Sequence, residues 1–366
     1  EWLNYNTRFY EVSSLVQSAV AAGTASANYK TYLTRAKTLV LDFINDAGAG
    51  KPANRSIEPA NRLMEFPYIY KHLLASGLLT PDENMKLLAW VYDEAVYMNS
   101  GATIFNSSNG VISDMAYTNH GFWHLAGFYQ SFGFFPELAK ASTWRNNYNA
   151  RQPKVVNALI ASDGSYNEVT FGYPSEVINW SSVLLTAMST TGDTSSVAAT
   201  FKGKLVGLAK YLVDCTMPNG TAPFWGQGGP AATKTAVQKV LDAIGNTMDN
   251  DQTVQELKYY VNHTTGSAPD TYGEYDNIKV VADRTGWDST DSMIFMNAKL
   301  GGNHAHRDAN ALLFYYGGRS LLTDTGMTSY DSAHAHYSFQ NSQTRSHNTI
   351  EIDGTAQTWT QNLSDS

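Results

Sequence analysis

The chain is short of cysteine, of charge and of long apolar runs, and each shortage removes a class of protein. Cys215 is the single cysteine among 366 residues, so neither an internal disulfide framework nor a CxxC zinc or redox motif is available. It lies in KLVGLAKYLVDC, an apolar run of helical spacing, and reads as a buried structural thiol. Charged residues make up 16% of the chain, against roughly 25% in an average soluble domain. The 25 Lys and Arg are outnumbered by 33 Asp and Glu, for a net charge of −8, and no basic run occurs. A nucleic-acid partner would call for a basic footprint and is therefore not expected. No apolar stretch approaches the roughly 18 residues of a membrane span, so no membrane partner is expected either. The sequence opens Glu1-Trp2-Leu3, with no initiating Met and no signal peptide. Together with few lysines and many Tyr, Asn, Ser and Thr, that start reads as a processed, exported chain, secreted or periplasmic.

What is present is an ordinary core-forming composition, 43% hydrophobic, with 22 Tyr. Over Tyr29–Asn45, apolar residues recur at the three-and-four spacing of a helix face. Thr80-Pro81-Asp82-Glu83 is a capping box with proline at the first helical position. Further helical runs follow at His120–Phe132, Val155–Ala161, Trp180–Met188, Ser195–Cys215, Thr233–Ile244 and Thr253–Val261. Short Gly/Asn/Pro connections between them imply antiparallel hairpins in a toroid or irregular bundle. Near Thr264 the character changes. TTGSAPDTYGEYD reads as a linker, and after it come the strand-like runs IKVVAD, SMIFMNAKL, ANALLFYYGG, RSLLTD and HNTIEIDG. The expected architecture is α+β with two domains: a helical (α/α) toroid over 1–265 and an antiparallel β-sandwich over 277–366. Few strands remain to close a sandwich, so a further C-terminal portion is expected to complete it.

Three constellations can carry chemistry. The densest is GGNHAHRDANALLFYYGGRSLLTDTG, in which a strand would put His304, His306 and Asp308 on one face. Imidazole and carboxylate suit a divalent ion such as zinc, and Asp324 and His347 stand at the ends of strand-like runs that can converge there. HAHRD also matches the HxHxD signature of metallo-β-lactamase-like hydrolases, but Ala309 stands where that signature expects another histidine. The second constellation is YTNHGFWHLAGFY, which puts Asn119 and His120 at a helix N-terminus, where the dipole favours an anion. His124, among Trp123, Leu125 and Phe128, reads as a core histidine. The third is the broken loop ASDGSYNEVTFGYPSEVINW, with Tyr166, Glu168 and Tyr173 ahead of a helix. A tyrosine there can pack, stack on a sugar, or exchange a proton. Tyr173 precedes Pro174, which predicts extended backbone at that point.

The segments VADRTGWDSTDSMIF, GGNHAHRDANALLFYYGGRSLLTDTGMTSY and SHNTIEIDG, with TNHGFWH and DGSYNEVTFGY upstream, together resemble the heparinase II/III-like polysaccharide lyases, a group that includes oligoalginate lyases. The resemblance implies a helical toroid followed by a β-sandwich. It also implies a structural divalent metal, commonly zinc, on His306, Asp324 and His347, and no organic cofactor. Asn119, His120 and Tyr173 match the family's catalytic Asn-His pair and tyrosine, His304 is implied to face the substrate, and Tyr337, ahead of Tyr330, is the expected second tyrosine. Tyr166 is the reserve for Tyr173. The implied activity is β-elimination on an anionic, uronic-acid-containing polysaccharide. Low charge points to alginate; hyaluronan, chondroitin, heparan and ulvan stay open, as does the carboxylate-neutralising arginine among Arg62, Arg145, Arg284 and Arg345. A carbohydrate-binding module, a metal-dependent hydrolase on HAHRD, and a uronide hydrolase with paired carboxylates are the readings from other classes.

Overall fold

The computed structural model describes residues 8–47, 57–99, 117–168, 170–227, 232–299, 301–302 and 304–358. Its contacts divide the chain into two units, 1–155 with 186–194, and 156–185 with 195–366.

Within the first unit, α1 (Tyr10–Ala22) packs on α2 (Ala27–Ala47) and on α3 (Ile57–Ala75), and α3 and α4 (Pro81–Asn99) pack on α5 (Asn119–Gly133). The capping box works as the sequence implies. Thr80 Oγ1 accepts from Glu83 N at 3.2 Å, and Glu83 Oε2 accepts from Thr80 N at 2.8 Å. At α5, Thr118 Oγ1 accepts from His120 N and so caps one of the helix's first amides. His124 is fully buried, its Nε2 is 2.9 Å from the Met98 carbonyl, and burial pushes its pKa down to about 3. It is a neutral core histidine, as its apolar neighbours imply. The chain then runs through α6 (Ala141–Leu159) and α7 (Gly172–Thr190), inside which the division between the units falls.

In the second unit, α8 (Ser196–Cys215) packs against α9 (Thr233–Ile244), α10 (Gln252–Val261) and the first two strands of the sheet. The sheet is an antiparallel meander of β1 (Tyr272–Tyr275), β2 (Val280–Arg284), β3 (Met293–Asn297), β4 (Ala311–Tyr316) and β5 (Arg319–Leu322). Alternate residues Val280, Ala282, Met293, Phe295, Leu313 and Tyr315 are buried on one face. On the other, Ile294 pairs with Phe314 and Met296 with Leu312, and Ile294, Met296 and Tyr316 are exposed. The described residues thus form the expected α+β arrangement, helices followed by an antiparallel sheet, and one face of that sheet is open and apolar. Two expectations differ. The presumed linker contains β1, because Tyr275 buries its ring against Tyr211 and donates to Asp214. HNTIEIDG forms no strand; Ile350 and Ile352 are exposed and only an isolated bridge, Ile352 to Thr355, is present there.

Arg284 fastens sheet to helix. Its Nη2 donates to the carbonyls of Val213, Asp214 and Thr216 at 3.4, 2.5 and 2.9 Å, and its guanidinium lies 3.8 Å from the Trp287 ring centroid. These are carbonyls at the C-terminal end of α8; that of Val213 also accepts from Thr216 N, whereas those of Asp214 and Thr216 have no later helical turn to satisfy them. Arg284→Met keeps the apolar stem and strands the Asp214 and Thr216 carbonyls, at a cost of about 1–3 kcal/mol for each buried acceptor left unpaired. Urea unfolding is expected to show a loss of roughly 3 kcal/mol in stability. A loss below about 0.5 kcal/mol, the range of ordinary surface changes, would show that the guanidinium does not hold this helix end.

Candidate active site and metal centre

The turn at Asp163–Ser165 lies against α8 and the connection between β1 and β2. Gly164 has φ +85°, and a Cβ built there would lie 2.6 Å from the Gly207 carbonyl oxygen on α8. Only glycine lets this turn lie so close to the helix. Asp163 closes the turn, accepting from Ser165 N at 3.0 Å and from Asn277 N, between β1 and β2, at 3.1 Å. Tyr166 is fully buried and donates to Glu168 Oε2 at 2.6 Å; burial, then the Glu168 charge, holds its pKa well above the ordinary value. Tyr166 therefore has no open face for a substrate.

Tyr173 is placed differently. It sits in the first turn of α7, not on extended backbone, and Pro174 falls where the missing N–H is one of the helix's unsatisfied amides. Its ring stacks on His304 with centroids 4.1 Å apart and planes at 21°. Its hydroxyl is 2.8 Å from the Tyr330 hydroxyl, and Tyr330 donates to the Gln227 carbonyl at 2.8 Å. That carbonyl can only accept, so the Tyr330 proton points to it and the Tyr173 proton points to Tyr330. Tyr330, not Tyr337, is the tyrosine bonded to Tyr173. Burial, more than any other cause, raises the Tyr173 pKa above its ordinary value. It lowers that of His304, with Glu168 acting weakly in the opposite sense. At neutral pH the pair is a neutral phenol on a neutral imidazole. His304 is therefore not a cation that could lower the tyrosine pKa.

The expected strand through HAHRD does not form. Asn297 pairs with Ala311, and the segment between them leaves the sheet, with φ +61° at His304 and +62° at Asn310. The imidazoles then face different neighbours. His304 goes to Tyr173, whereas His306 joins Asp324 and His347, all three buried, with one ligand atom from each within 4.8 Å of the others. Asp308 is buried and joins neither group; burial pushes its pKa up to about 7, and Asn297 Nδ2 is 3.4 Å from its Oδ1. Asp324 follows β5 and accepts from Gly326 N at 2.9 Å, and His347 follows a short 3₁₀ turn, Thr344–Ser346.

The hydrogen bonds in this group are incomplete in the way a cation would complete. His347 Nε2 is 3.0 Å from the Gln340 carbonyl, an acceptor, so that nitrogen carries a proton. His347 Nδ1 is 2.8 Å from Asp324 Oδ2. A neutral ring would set its lone pair against a carboxylate oxygen, so either the ring is protonated or a cation lies between them. Burial lowers the His347 pKa, but the hydrogen bond and charge of Asp324 outweigh it and the pKa is raised. Both ring nitrogens of His306 are buried and reach no partner at hydrogen-bond geometry; Asn341 lies beside the ring without satisfying it. Burial and then His347 push the His306 pKa down to about 4, which leaves a lone pair free for a metal. Two imidazoles and a carboxylate, with a carbonyl fixing one tautomer behind them, fit a divalent ion.

Of the arginines weighed for the substrate carboxylate, Arg62 pairs with Glu94 at 2.6 Å in full burial, Arg145 pairs with Asp193 at 3.2 Å, and Arg284 is spent on α8; Arg345 is exposed. Asn119 is buried and His120 half-buried at the start of α5 in the first unit. Sequence reasoning missed Gln227, in the Gly-rich WGQGGP, and Asn341; neither residue type nor spacing marks them.

The chain matches the family model Heparinase II/III N-terminus over residues 24–256 and Heparinase II/III-like, C-terminal over 283–365. It belongs to the heparinase II/III-like family. Among solved structures it is similar to a heparinase III gene product, with a TM-score of 0.76 and 18% identity over 96% of this chain and 56% of that one. It is also similar to the heparan sulfate lyase from Pedobacter heparinus (TM-score 0.72, 16% identity, 96% and 53%) and to a further heparinase III (0.75, 17%, 93% and 54%). The fold is thus that of these proteins, and the chain spans a little over half of their length. None of the curated proteins matches it.

A bound divalent cation is expected to raise the melting temperature of the wild type and to leave His306→Ala unmoved. At a hundredfold excess over the dissociation constant the gain is about 2.7 kcal/mol. No metal by elemental analysis, with His306→Ala melting like the wild type, would show that the three residues hold only one another.

Proposed function

We propose that this chain carries the active site of a lyase that cleaves uronic-acid-containing polysaccharides by β-elimination. The observation that supports it best is the stacked pair of neutral phenol and neutral imidazole, Tyr173 on His304, with the tyrosine proton directed by Tyr330. Such a pair can take one proton and give another. In the proposed reaction His304 removes the C5 proton, the C4–O4 bond breaks, Tyr173 protonates the departing O4, and a C4–C5 double bond remains. The imidazolium and tyrosinate left side by side return to neutrality by one proton transfer. Asn119 and His120, at a helix N-terminus in the first unit, are proposed as the family's catalytic Asn-His pair on the resemblance of TNHGFWH alone; a donor that neutralises the uronate carboxylate contributes a few kcal/mol. Arg345 is the exposed candidate to assist them. Tyr330 takes the second-tyrosine role expected of Tyr337, because its hydroxyl is the one on Tyr173.

His306, Asp324 and His347 are proposed to hold zinc. The ion would supply a fixed positive charge and a cross-link between the HAHRD loop and the segments after β5, and no step of the elimination needs it. Further β structure is proposed to cover the open face of Ile294, Met296 and Tyr316, and export from the cytoplasm is proposed on composition. A charge of −8 with only 25 basic residues supports an unsulfated polyuronate such as alginate. Heparan sulfate, the polymer for which one structural relative is named, is the second reading.

Incubation with a panel of alginate, hyaluronan, chondroitin, heparan sulfate and ulvan, read by ultraviolet absorbance of the new double bond, tests both reaction and substrate. Tyr173→Phe keeps the ring and removes the transferable proton. Turnover should fall by about 10²–10⁴-fold with substrate binding and melting nearly unchanged. A variant keeping a tenth or more of wild-type turnover would take Tyr173 out of the reaction. Absence of the chromophore on every polymer would reject the lyase.

A further inference from the structure

Gln227 makes four hydrogen bonds across the second unit. Its backbone N donates to the His304 carbonyl at 2.8 Å, and its own carbonyl accepts from Tyr330 at 2.8 Å. Its side-chain Oε1 is 3.0 Å from His304 Nδ1, and its Nε2 donates to Asn341 Oδ1 at 2.8 Å. The loop is thus fastened to the HAHRD segment through both the backbone and the ring of His304.

The direction of the side-chain chain is set at its far end. Asn341 Nδ2 faces the Tyr337 carbonyl at 2.9 Å and the Met327 sulfur at 3.8 Å, and both of these accept. The Asn341 nitrogen therefore stands there, and its oxygen turns to Gln227. That oxygen must receive a hydrogen, which places the Gln227 nitrogen towards Asn341 and the Gln227 oxygen towards His304. His304 Nδ1 must then be the protonated nitrogen, and Nε2 carries the lone pair. His304 also has φ +61°, a left-handed conformation that a non-glycine residue keeps only where its surroundings impose it. The Gln227 bonds to both the backbone and the ring of His304 supply that constraint.

We propose that Gln227 is a positioning residue that fixes His304 as the Nδ1–H tautomer and so aims an unprotonated Nε2 at the substrate. This rests on the lyase reading for its purpose, but not for its geometry. Gln227 is not in the reaction itself; it decides which nitrogen of the neighbouring ring can accept a proton, a choice set in histidines by the partner of the other nitrogen.

The test is nitrogen-15 NMR of histidine-labelled protein in mildly alkaline solution, with His304 assigned by comparison with His304→Gln. The wild type should show a protonated Nδ1 and a lone-pair Nε2. Gln227→Glu keeps an acceptor facing Nδ1 and should keep that tautomer, whereas Gln227→Leu should shift the population towards Nε2–H. A wild-type ring found as Nε2–H overturns the proposal, as does Gln227→Leu with an unchanged tautomer. If Gln227→Leu fails to fold, the wild-type and Gln227→Glu spectra decide it. The measurement needs no substrate, so the predicted tautomer in a protein that eliminates nothing would reject the lyase and leave the positioning role standing. In an active enzyme, Gln227→Leu should lower kcat roughly tenfold or more with KM little changed, as losses of a ring-orienting partner do; unchanged kcat alongside a shifted tautomer would overturn the claim that the lone pair is aimed at substrate.

Discussion

The register of one hairpin governs the site. Asn297 pairs with Ala311, so the described residues 304–310 lie outside the sheet between β3 and β4. A regular strand through His304, His306 and Asp308 would have presented all three to one face. Expelled, the segment can turn His304 towards α7 and His306 towards Asp324 and His347. The left-handed residues at His304 and Asn310, with glycines 301 and 302 also at positive φ, are how so short a connection changes direction so often. The cost of the non-glycine positions, of order 1 kcal/mol each, is offset by the bonds from Gln227 and by the metal-type cluster.

Much of the fold is legible in the sequence because its signals are local. The capping box at Thr80, the runs at Ser195–Cys215 and Thr233–Ile244, and four of the five strands are written in spacing and turn residues that act within a few positions. β1 is hidden because its burial comes from Tyr211 and Asp214, some sixty residues earlier in the chain. The start of α7 is misleading because Pro174 disfavours helix at Tyr173 locally, while the rest of the first turn tolerates it. His306, Asp324 and His347 are marked by residue type and family resemblance, and they do converge. A shared strand face is not what gathers them. Gln227 and Asn341 leave no mark, since an amide's role depends on which way it is turned, and that is decided by tertiary partners.

The two histidines of HAHRD show how one motif can serve two tasks. His306 is buried without a hydrogen-bond partner, which is costly unless something binds its lone pair. His304 has both its carbonyl and Nδ1 engaged by Gln227, with only part of its ring covered. The first environment suits a permanent ligand, the second a group that must gain and lose a proton. They are two residues apart, and the pleat of a strand would have made them alike. Irregular backbone is what lets them differ.

A shared device runs through both centres: a main-chain carbonyl, which can only accept, sets the direction of each chain of hydrogen bonds. The Gln340 carbonyl assigns the proton of His347 to Nε2 and turns Nδ1 to Asp324. The Gln227 carbonyl takes the Tyr330 proton and thereby points Tyr173 at Tyr330. The Tyr337 carbonyl, through Asn341 and Gln227, assigns the proton of His304. Side-chain amides, hydroxyls and imidazoles can each reverse their donor and acceptor ends at little cost, and a network built only of them would have several proton arrangements of similar energy. Ending each network on a carbonyl removes that freedom. With few charges to orient its groups, this chain specifies proton positions through the backbone: the short helix Tyr337–Ser342 carries two of those three carbonyls and the Gln227 loop carries the third.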